Sequence, residues 1–96
     1  MKYQISEAAY NDLNNIWFYT FEKWSENQAN AYFESLIEHI EIISNNPKAG
    51  KNLPKIRKDF FCERALSHYI FFKKEKDIIV VIRILHKMME FSQHLE

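Results

Sequence analysis

The stretch that most constrains the fold is the run DIIVVIRILHK at residues 77–87. Isoleucine and valine dominate this run, and β-branched residues at such density favour a strand that is buried on both faces. Side chains alternate along a strand, so the run predicts two faces of different character. The wholly apolar face would consist of Ile78, Val80, Ile82 and Ile84. The other face would consist of Ile79, Val81, Arg83 and Leu85.

Arg83 is therefore predicted to lie in the middle of an apolar strand face. A guanidinium group is not left buried without partners, because its desolvation costs too much free energy. Either a carboxylate of the same fold pairs with Arg83, or this face of the sheet is an open binding groove. The sequence leaves both alternatives open.

The bulk properties describe one small domain, residues 1–96. A chain of 96 residues with 47% hydrophobic content can fill a single core, so disorder is not expected. The longest apolar run covers five residues, 78–82, which is too short to cross a membrane, and the N-terminus lacks a signal-peptide core. A single cysteine, Cys62, allows no internal disulfide. We therefore expect a cytoplasmic protein.

The formal net charge of zero hides an uneven distribution. Residues 1–45 carry two basic and seven acidic groups, whereas residues 46–96 carry eleven basic and six acidic groups. A neutral total is not typical of a protein that coats nucleic acid, and we do not expect the chain alone to bind a specific DNA sequence. The uneven distribution permits one basic surface that faces an acidic partner.

The N-terminal half predicts a short strand followed by two helices. Residues 2–5 alternate as a strand, Ser6 offers an N-cap, and apolar spacing then predicts a helix over residues 7–23. Ser25 and Gln28 form a capping-box pattern that starts a second helix. Because the connection is so short, the helices should form an antiparallel hairpin that covers one face of a sheet. The predicted apolar stripes are Ala9, Leu13, Ile16, Trp17, Thr20 and Trp24, then Ala29, Phe33, Leu36, Ile37, Ile40 and Ile43.

The C-terminal half predicts a loop and three strands. Pro47 and Gly50 end the second helix, and residues 51–58 read as a loop. Strands follow over residues 60–66 and 68–73, and a polar connection at 74–77 leads into the long apolar strand. The fold class is α+β, a helical hairpin on a curved antiparallel sheet, with the first strand either at one edge or beside the last strand. The loop region contains five basic residues and no acidic one between residues 48 and 58: Lys48, Lys51, Lys55, Arg57 and Lys58.

Few residue patterns in this chain indicate chemistry. There is no HxxxH or CxxC spacing, so neither a metal site nor a cofactor is predicted, and Cys62 reads as a buried thiol. One constellation could cleave RNA: histidine would move the proton, arginine would stabilise the phosphorane, and the 2′-hydroxyl would attack. Basic residues on strands more often serve solubility or binding. The candidates are Arg57, Arg64, His68, Arg83 and His86.

Several segments together resemble the ParE toxins, within the wider RelE/ParE superfamily. VIRILHK at residues 81–87, followed by Met89-Glu90, is similar to the family ending IRILH-x-x-M-D, and HYIFF at 68–72 is similar to H-x-I-F-Y. The pair Asn46-Pro47, with Gly50 and then Ile56-Arg57, resembles NP-x-x-G…IR. The first predicted helix resembles the family pattern A-x-x-DL-x-x-I through Ala9, Asp12, Leu13 and Ile16. The start of the second resembles that of the family's second helix through Trp24, Gln28 and Tyr32.

The resemblance implies a toxin of a type II toxin–antitoxin module with a helical hairpin on a curved sheet. It implies that the chain inhibits DNA gyrase without being an enzyme, and that a ParD-like antitoxin neutralises it by folding around it. A toxin dimer or a toxin–antitoxin hetero-oligomer is compatible with this reading. The residues expected to bind the antitoxin or target are Arg57, Arg64, Arg83, His86, Lys87, Met88 and Phe91.

The RelE branch of the superfamily is the competing functional reading. Its members cut mRNA on the ribosome, and here that role would fall to His68, Arg83 and His86. Such ribonucleases often carry an aromatic residue near the C-terminus, where this chain has Lys87-Met88-Met89. The chain departs from the ParE pattern at Phe72, where tyrosine is common, and at residues 58–60, where the family often has glycine. Met88, Phe91 and Leu95 are spaced for a short helical turn.

Overall fold

The computed structural model describes residues 2–87, which form one five-stranded sheet and a helical hairpin. The strands lie in the order β1-β5-β4-β3-β2; β1 pairs with β5 in parallel, and the other pairs are antiparallel. The predicted fold class is therefore confirmed, with β1 at the edge and beside the last strand. The elements are β1 Lys2–Ile5, α1 Glu7–Lys23, α2 Glu26–Ser44, β2 Lys51–Asn52, β3 Phe60–Ala65, β4 His68–Glu75 and β5 Ile78–Leu85.

Both helices begin where their capping residues predict. The Ser6 hydroxyl accepts the backbone N–H of Ala9 at 3.0 Å, and the Ser25 hydroxyl accepts that of Gln28 at 3.1 Å. Each bond satisfies one of the amides that the first turn of a helix leaves without a partner. No helix within residues 2–87 combines the length and the apolar character needed to cross a membrane.

The main core lies between the hairpin and the sheet. Small and branched residues of both helices pack on β3, β4 and β5, which removes the apolar stripe of each helix from water. The prediction is wrong for one member of the first apolar stripe. Trp24 follows the last turn of α1 and is 70% exposed. The buried residues of this helix-side cluster are Ala9, Leu13, Leu36, Ile40, Ile43, Ala49, Ala65, Ile70, Phe72, Ile79, Val81 and Ile84.

A second, smaller cluster shows that β5 is packed on both faces, as predicted. The predicted strict alternation of side chains between the two faces of β5 is wrong. The pairing of β4 with β5 shifts between Phe71 and Phe72, which leaves Ile82 without a paired residue. Such a bulge reverses the alternation beyond it. Ile84 therefore joins the helix-side cluster, whereas Ile82 packs against the second cluster. The buried residues of the second cluster are Phe60, Cys62, Phe71 and Leu85.

The segment predicted as a loop after the second helix contains a short strand. Lys51 and Asn52 pair with Cys62 and Phe61 of β3 and so extend the sheet by one strand. Gly50 precedes this strand with a φ of +88°, a conformation that side chains with a Cβ atom rarely adopt. Two residues of β2 are too few to give an alternating pattern that sequence analysis could detect.

Candidate functional site

Arg83 is paired within the fold, which is the first of the two alternatives that the sequence left open. Its Nε donates to Asp12 Oδ2 at 2.8 Å and its Nη2 donates to Oδ1 at 2.9 Å, a bidentate arrangement. The side chains are only 19% and 11% exposed. Asp12, which is not a member of the predicted apolar stripe of α1, is therefore an internal partner of β5.

The position of Asp12 follows from where β1 ends. Ile5 pairs with Val81, and beyond that point no strand formed by residues 2–87 adjoins this edge of β5. The start of α1 takes over this edge: the Ser6 hydroxyl donates to the Ile82 carbonyl at 2.9 Å, and the Ile84 N–H donates to Asp12 Oδ2 at 2.9 Å. An edge that would otherwise expose unpaired backbone groups is thereby satisfied.

Two of the predicted histidines come together beside a tyrosine. The rings of His68 and His86 lie 5.2 Å apart between centroids, at an interplanar angle of 82°. Tyr32 of α2 is hydrogen-bonded to His68 Nδ1 at 2.8 Å, and its oxygen accepts the Ser67 N–H at 3.0 Å. Because that amide already donates to the phenol oxygen, we assign the phenol proton to the bond with Nδ1, which leaves the imidazole proton on Nε2.

The surroundings of His68 favour its neutral form. Burial lowers the pKa of His68 below its ordinary value, the neighbouring His86 lowers it further, and Asp12 acts in the opposite direction. The neutral imidazole, which these surroundings favour, offers one N–H as a hydrogen-bond donor.

A cavity of about 660 Å³ opens beside the histidine pair. Aromatic side chains of the hairpin, Tyr19 and Trp24, form part of its wall and are themselves exposed. Tyr32, His68 and His86 supply polar groups to the same space. Sequence analysis identified the two histidines but gave no role to Tyr32 or Tyr19, because their contacts depend on how the two helices lie against each other and against the strands.

The predicted arginines of the loop and of β3 are exposed and lie in different contacts. Arg57 is paired with Asp59, with 3.2 Å between Nε and Oδ1, and its guanidinium lies 5.0 Å from the centroid of Phe60. Arg64 Nε donates to the Leu66 carbonyl at 3.1 Å. His86 and Lys87 are exposed at the end of β5. Met88, Phe91 and the predicted turn at 88–95 lie outside the described residues.

The structure therefore brings together only part of the proposed ribonuclease constellation. His68 and His86 are neighbours, but the guanidinium of Arg83 is engaged by a carboxylate. Within residues 2–87 there is no cluster of three histidine, cysteine, aspartate or glutamate side chains that could hold a metal ion. Cys62 is buried, and burial raises the pKa of its thiol, as is usual for a structural cysteine.

Comparison with known proteins identifies the family. Residues 3–91 match the family described as the ParE toxin of the type II toxin–antitoxin system parDE. The chain belongs to the ParE toxin family. It is therefore a toxin of a type II toxin–antitoxin system, and the resemblance found in its sequence is confirmed.

Individual members of the ParE family are similar over nearly the whole chain. Toxin ParE1 of Mycobacterium tuberculosis H37Rv is 32% identical over 95 residues, which cover 98% of this chain and 97% of that protein. Toxin ParE1 of Caulobacter vibrioides is 31% identical and covers 97% and 96%. A solved structure of the chromosomal ParDE system from P. aeruginosa superimposes with a TM-score of 0.76 at 15% identity, over 90% of this chain and 95% of that chain. At that identity the structure shows a shared fold.

Proposed function

We propose that this ParE-family toxin acts by binding DNA gyrase, without enzymatic activity of its own, and that a ParD-type antitoxin neutralises it. Membership of the ParE family supports this proposal, as does the likeness to a chain from a ParDE system. A gyrase target would place the protein in the cytoplasm, and the antitoxin would assemble with it as a hetero-oligomer.

The observation that carries the non-enzymatic part of the proposal is the Arg83–Asp12 pair. A ribonuclease needs a cation that is available to the developing charge on the phosphate. Here two of the guanidinium nitrogens, Nε and Nη2, donate to one carboxylate at 2.8 and 2.9 Å. A phosphate that approached Arg83 would meet the negative charge of Asp12 as well, so the arrangement suits a structural role better than catalysis.

The exposed basic residues favour a protein partner with acidic segments. Arg57, Arg64, His86 and Lys87 are all exposed, and the lysines of the loop add to the positive charge of this half of the chain. Electrostatic attraction of this kind accelerates association and selects among partners. We propose these residues for the contact with the antitoxin, together with Met88 and Phe91, which come next in the sequence.

Ribonuclease activity is the second candidate, and the histidine pair beside a cavity is the observation that favours it. In this reading the two imidazoles, whose ring centroids lie 5.2 Å apart, would move the proton while the 2′-hydroxyl attacks.

Supercoiling of relaxed plasmid by gyrase, with the purified protein added, tests the proposal directly. We expect inhibition, accumulation of cleaved DNA, and reversal when the ParD-type antitoxin is added. In the same preparation His68→Ala and His86→Ala should keep the inhibitory activity provided that circular dichroism shows them folded. Unimpeded supercoiling, together with ribosome-dependent mRNA cleavage that either histidine variant abolishes, would establish the ribonuclease instead.

A further inference from the structure

The outward flank of the hairpin carries a second surface, distinct from the cavity beside the histidines. We call it the outer groove; it has a volume of about 380 Å³ and lies between α1 and α2. On α1 this groove is flanked by aromatic side chains at helical spacing. Two aromatic residues on this flank, Phe18 and Phe21, are 61% and 44% exposed. Exposed aromatic residues that share one flank mark an interaction site more often than scattered ones do. The groove is lined by Asn14, Trp17, Phe18, Asn30, Phe33 and Glu34.

The aromatic side chains of the outer groove are already held in place. Trp17 stacks on Phe21 with 5.3 Å between ring centroids and meets Phe18 edge-on at 5.2 Å. The Trp17 Nε1–H donates to Asn30 Oδ1 at 2.9 Å, which joins the two helices across the groove. A partner that docks here would order few side chains on this protein, so the entropic cost of binding is reduced.

A row of carboxylates runs along α2, and one of them, Glu34, lines the outer groove. These side chains recur at intervals of three, four or eight residues, which places them along one side of the helix. All are exposed, and none is in an ion pair with another residue in the range 2–87. The carboxylates of this acidic row are Glu26, Glu34, Glu38 and Glu41.

The charge on the hairpin decides which partner fits. Lys23 is the one lysine or arginine between residues 7 and 44, so two hairpins of this chain would repel each other. An acidic row beside an aromatic groove complements a helix with an apolar stripe and basic residues alongside it. We propose that the outer groove binds a cationic amphipathic helix of another protein. This inference depends on the surface chemistry alone and does not rest on the gyrase proposal.

The test uses two designed helical peptides of equal length with the same apolar stripe of leucine. One peptide has lysine at its polar positions, and the other has glutamate there. In the variant Trp24→Phe, Trp17 is the remaining tryptophan, so its fluorescence reports on the outer groove. We expect saturable binding of the lysine peptide and binding at least about tenfold weaker for the glutamate peptide, since several rim charges act together. The triple variant Glu34→Gln, Glu38→Gln, Glu41→Gln should remove most of that preference.

Two exposed aromatic residues of α1 provide a matched pair of variants in the same assay. Phe18→Ser should abolish binding of the lysine peptide, whereas Tyr19→Ser, on the opposite flank and in the wall of the other cavity, should not affect it. Equal affinity for both peptides, or full binding by a folded Phe18→Ser, would overturn the proposal. So would dimerisation of the free protein that Phe18→Ser abolishes, because the occupant would then be a second copy.

Discussion

At the scale of the residue, a few side chains have structural roles that no neighbouring residue could take over. Asp12 accepts three hydrogen bonds from β5, two from the Arg83 side chain and one from the Ile84 backbone. Its carboxylate therefore neutralises the one charge in the core-facing part of β5 and also completes the edge of the sheet. The conformation of Gly50 and the pKa of His68 also depend on the surrounding residues, and each leads to a testable prediction.

Gly50→Ala should destabilise the protein by about 2–4 kcal/mol, because the residue meets two separate obstacles. Its φ of +88° is unfavourable for alanine, and a Cβ atom would lie 2.5 Å from Cζ of the buried Phe72. Urea unfolding measures the free energy directly. Lys51→Ala, at the neighbouring exposed position, should change it by less than about 0.5 kcal/mol. Equal stability of the two variants would contradict the prediction.

The lowered pKa of His68 predicts a loss of stability in mild acid. The unfolded chain protonates this imidazole near its ordinary pKa of about 6.5, whereas the folded protein resists protonation at that pH. The contribution is therefore fully present above that pH and is lost as the pH falls through it towards the folded-state pKa. Urea midpoints between pH 7.5 and 5 should fall less steeply for His68→Gln than for the unaltered protein. His39→Gln on α2 is the control, and parallel slopes for all three proteins would show that His68 is not responsible.

At the scale of the element, α1 is joined to the sheet by its own cap. Ser6 accepts the Ala9 N–H, as an N-cap does, and also donates to the Ile82 carbonyl of β5. Ser25 caps α2 in the same way, but its hydroxyl is exposed, and in the part of the chain that the structure describes no hydrogen bond to the sheet accompanies the cap. One kind of residue at equivalent helix positions thus has two different structural consequences.

Ser6→Ala should therefore cost more stability than Ser25→Ala. Loss of an N-cap costs about 1 kcal/mol, and loss of the second hydrogen bond should bring the cost at Ser6 to about 2 kcal/mol. Thermal unfolding of the two single variants and of the double variant gives both values and shows whether they add. If the two single variants unfold at the same temperature, the bond to Ile82 contributes nothing measurable.

At the scale of the whole molecule, the two halves of the chain present opposite charges. The hairpin holds most of the acidic residues of the first half, and the basic loop and later strands follow it in sequence. The hairpin packs over one face of the sheet through the helix-side cluster, so α2, which carries the acidic row, shares its core with the strands that follow the basic loop. Partners of opposite charge are therefore expected to choose different surfaces.

Charge reversal in the basic loop should weaken binding of an acidic antitoxin. We expect the double variant Lys55→Glu, Lys58→Glu to lower the affinity about tenfold at low ionic strength and by less at high salt, because screening weakens exposed charges. Calorimetric titration at two salt concentrations measures both effects. Lys2→Glu, exposed on β1 in the acidic half, is the control and should bind as the unaltered protein does. A similar loss of affinity for both variants would mean that the net charge of the protein controls binding and that the position of the loop lysines does not.

The sequence by itself determined the local structure and the order of elements, with the exception of the two-residue strand β2. Helix limits, both N-caps, the strand around residues 78–85 and the ParE family could be predicted because periodicity, capping and motif spacing depend on residues close together in the chain. Only the tertiary structure decided whether Arg83 pairs with a carboxylate of the fold or faces an open groove, where β5 reverses its faces, and which residues surround the histidines. Those outcomes depend on contacts such as Arg83–Asp12, 71 residues apart, and on a register shift that no local pattern specifies.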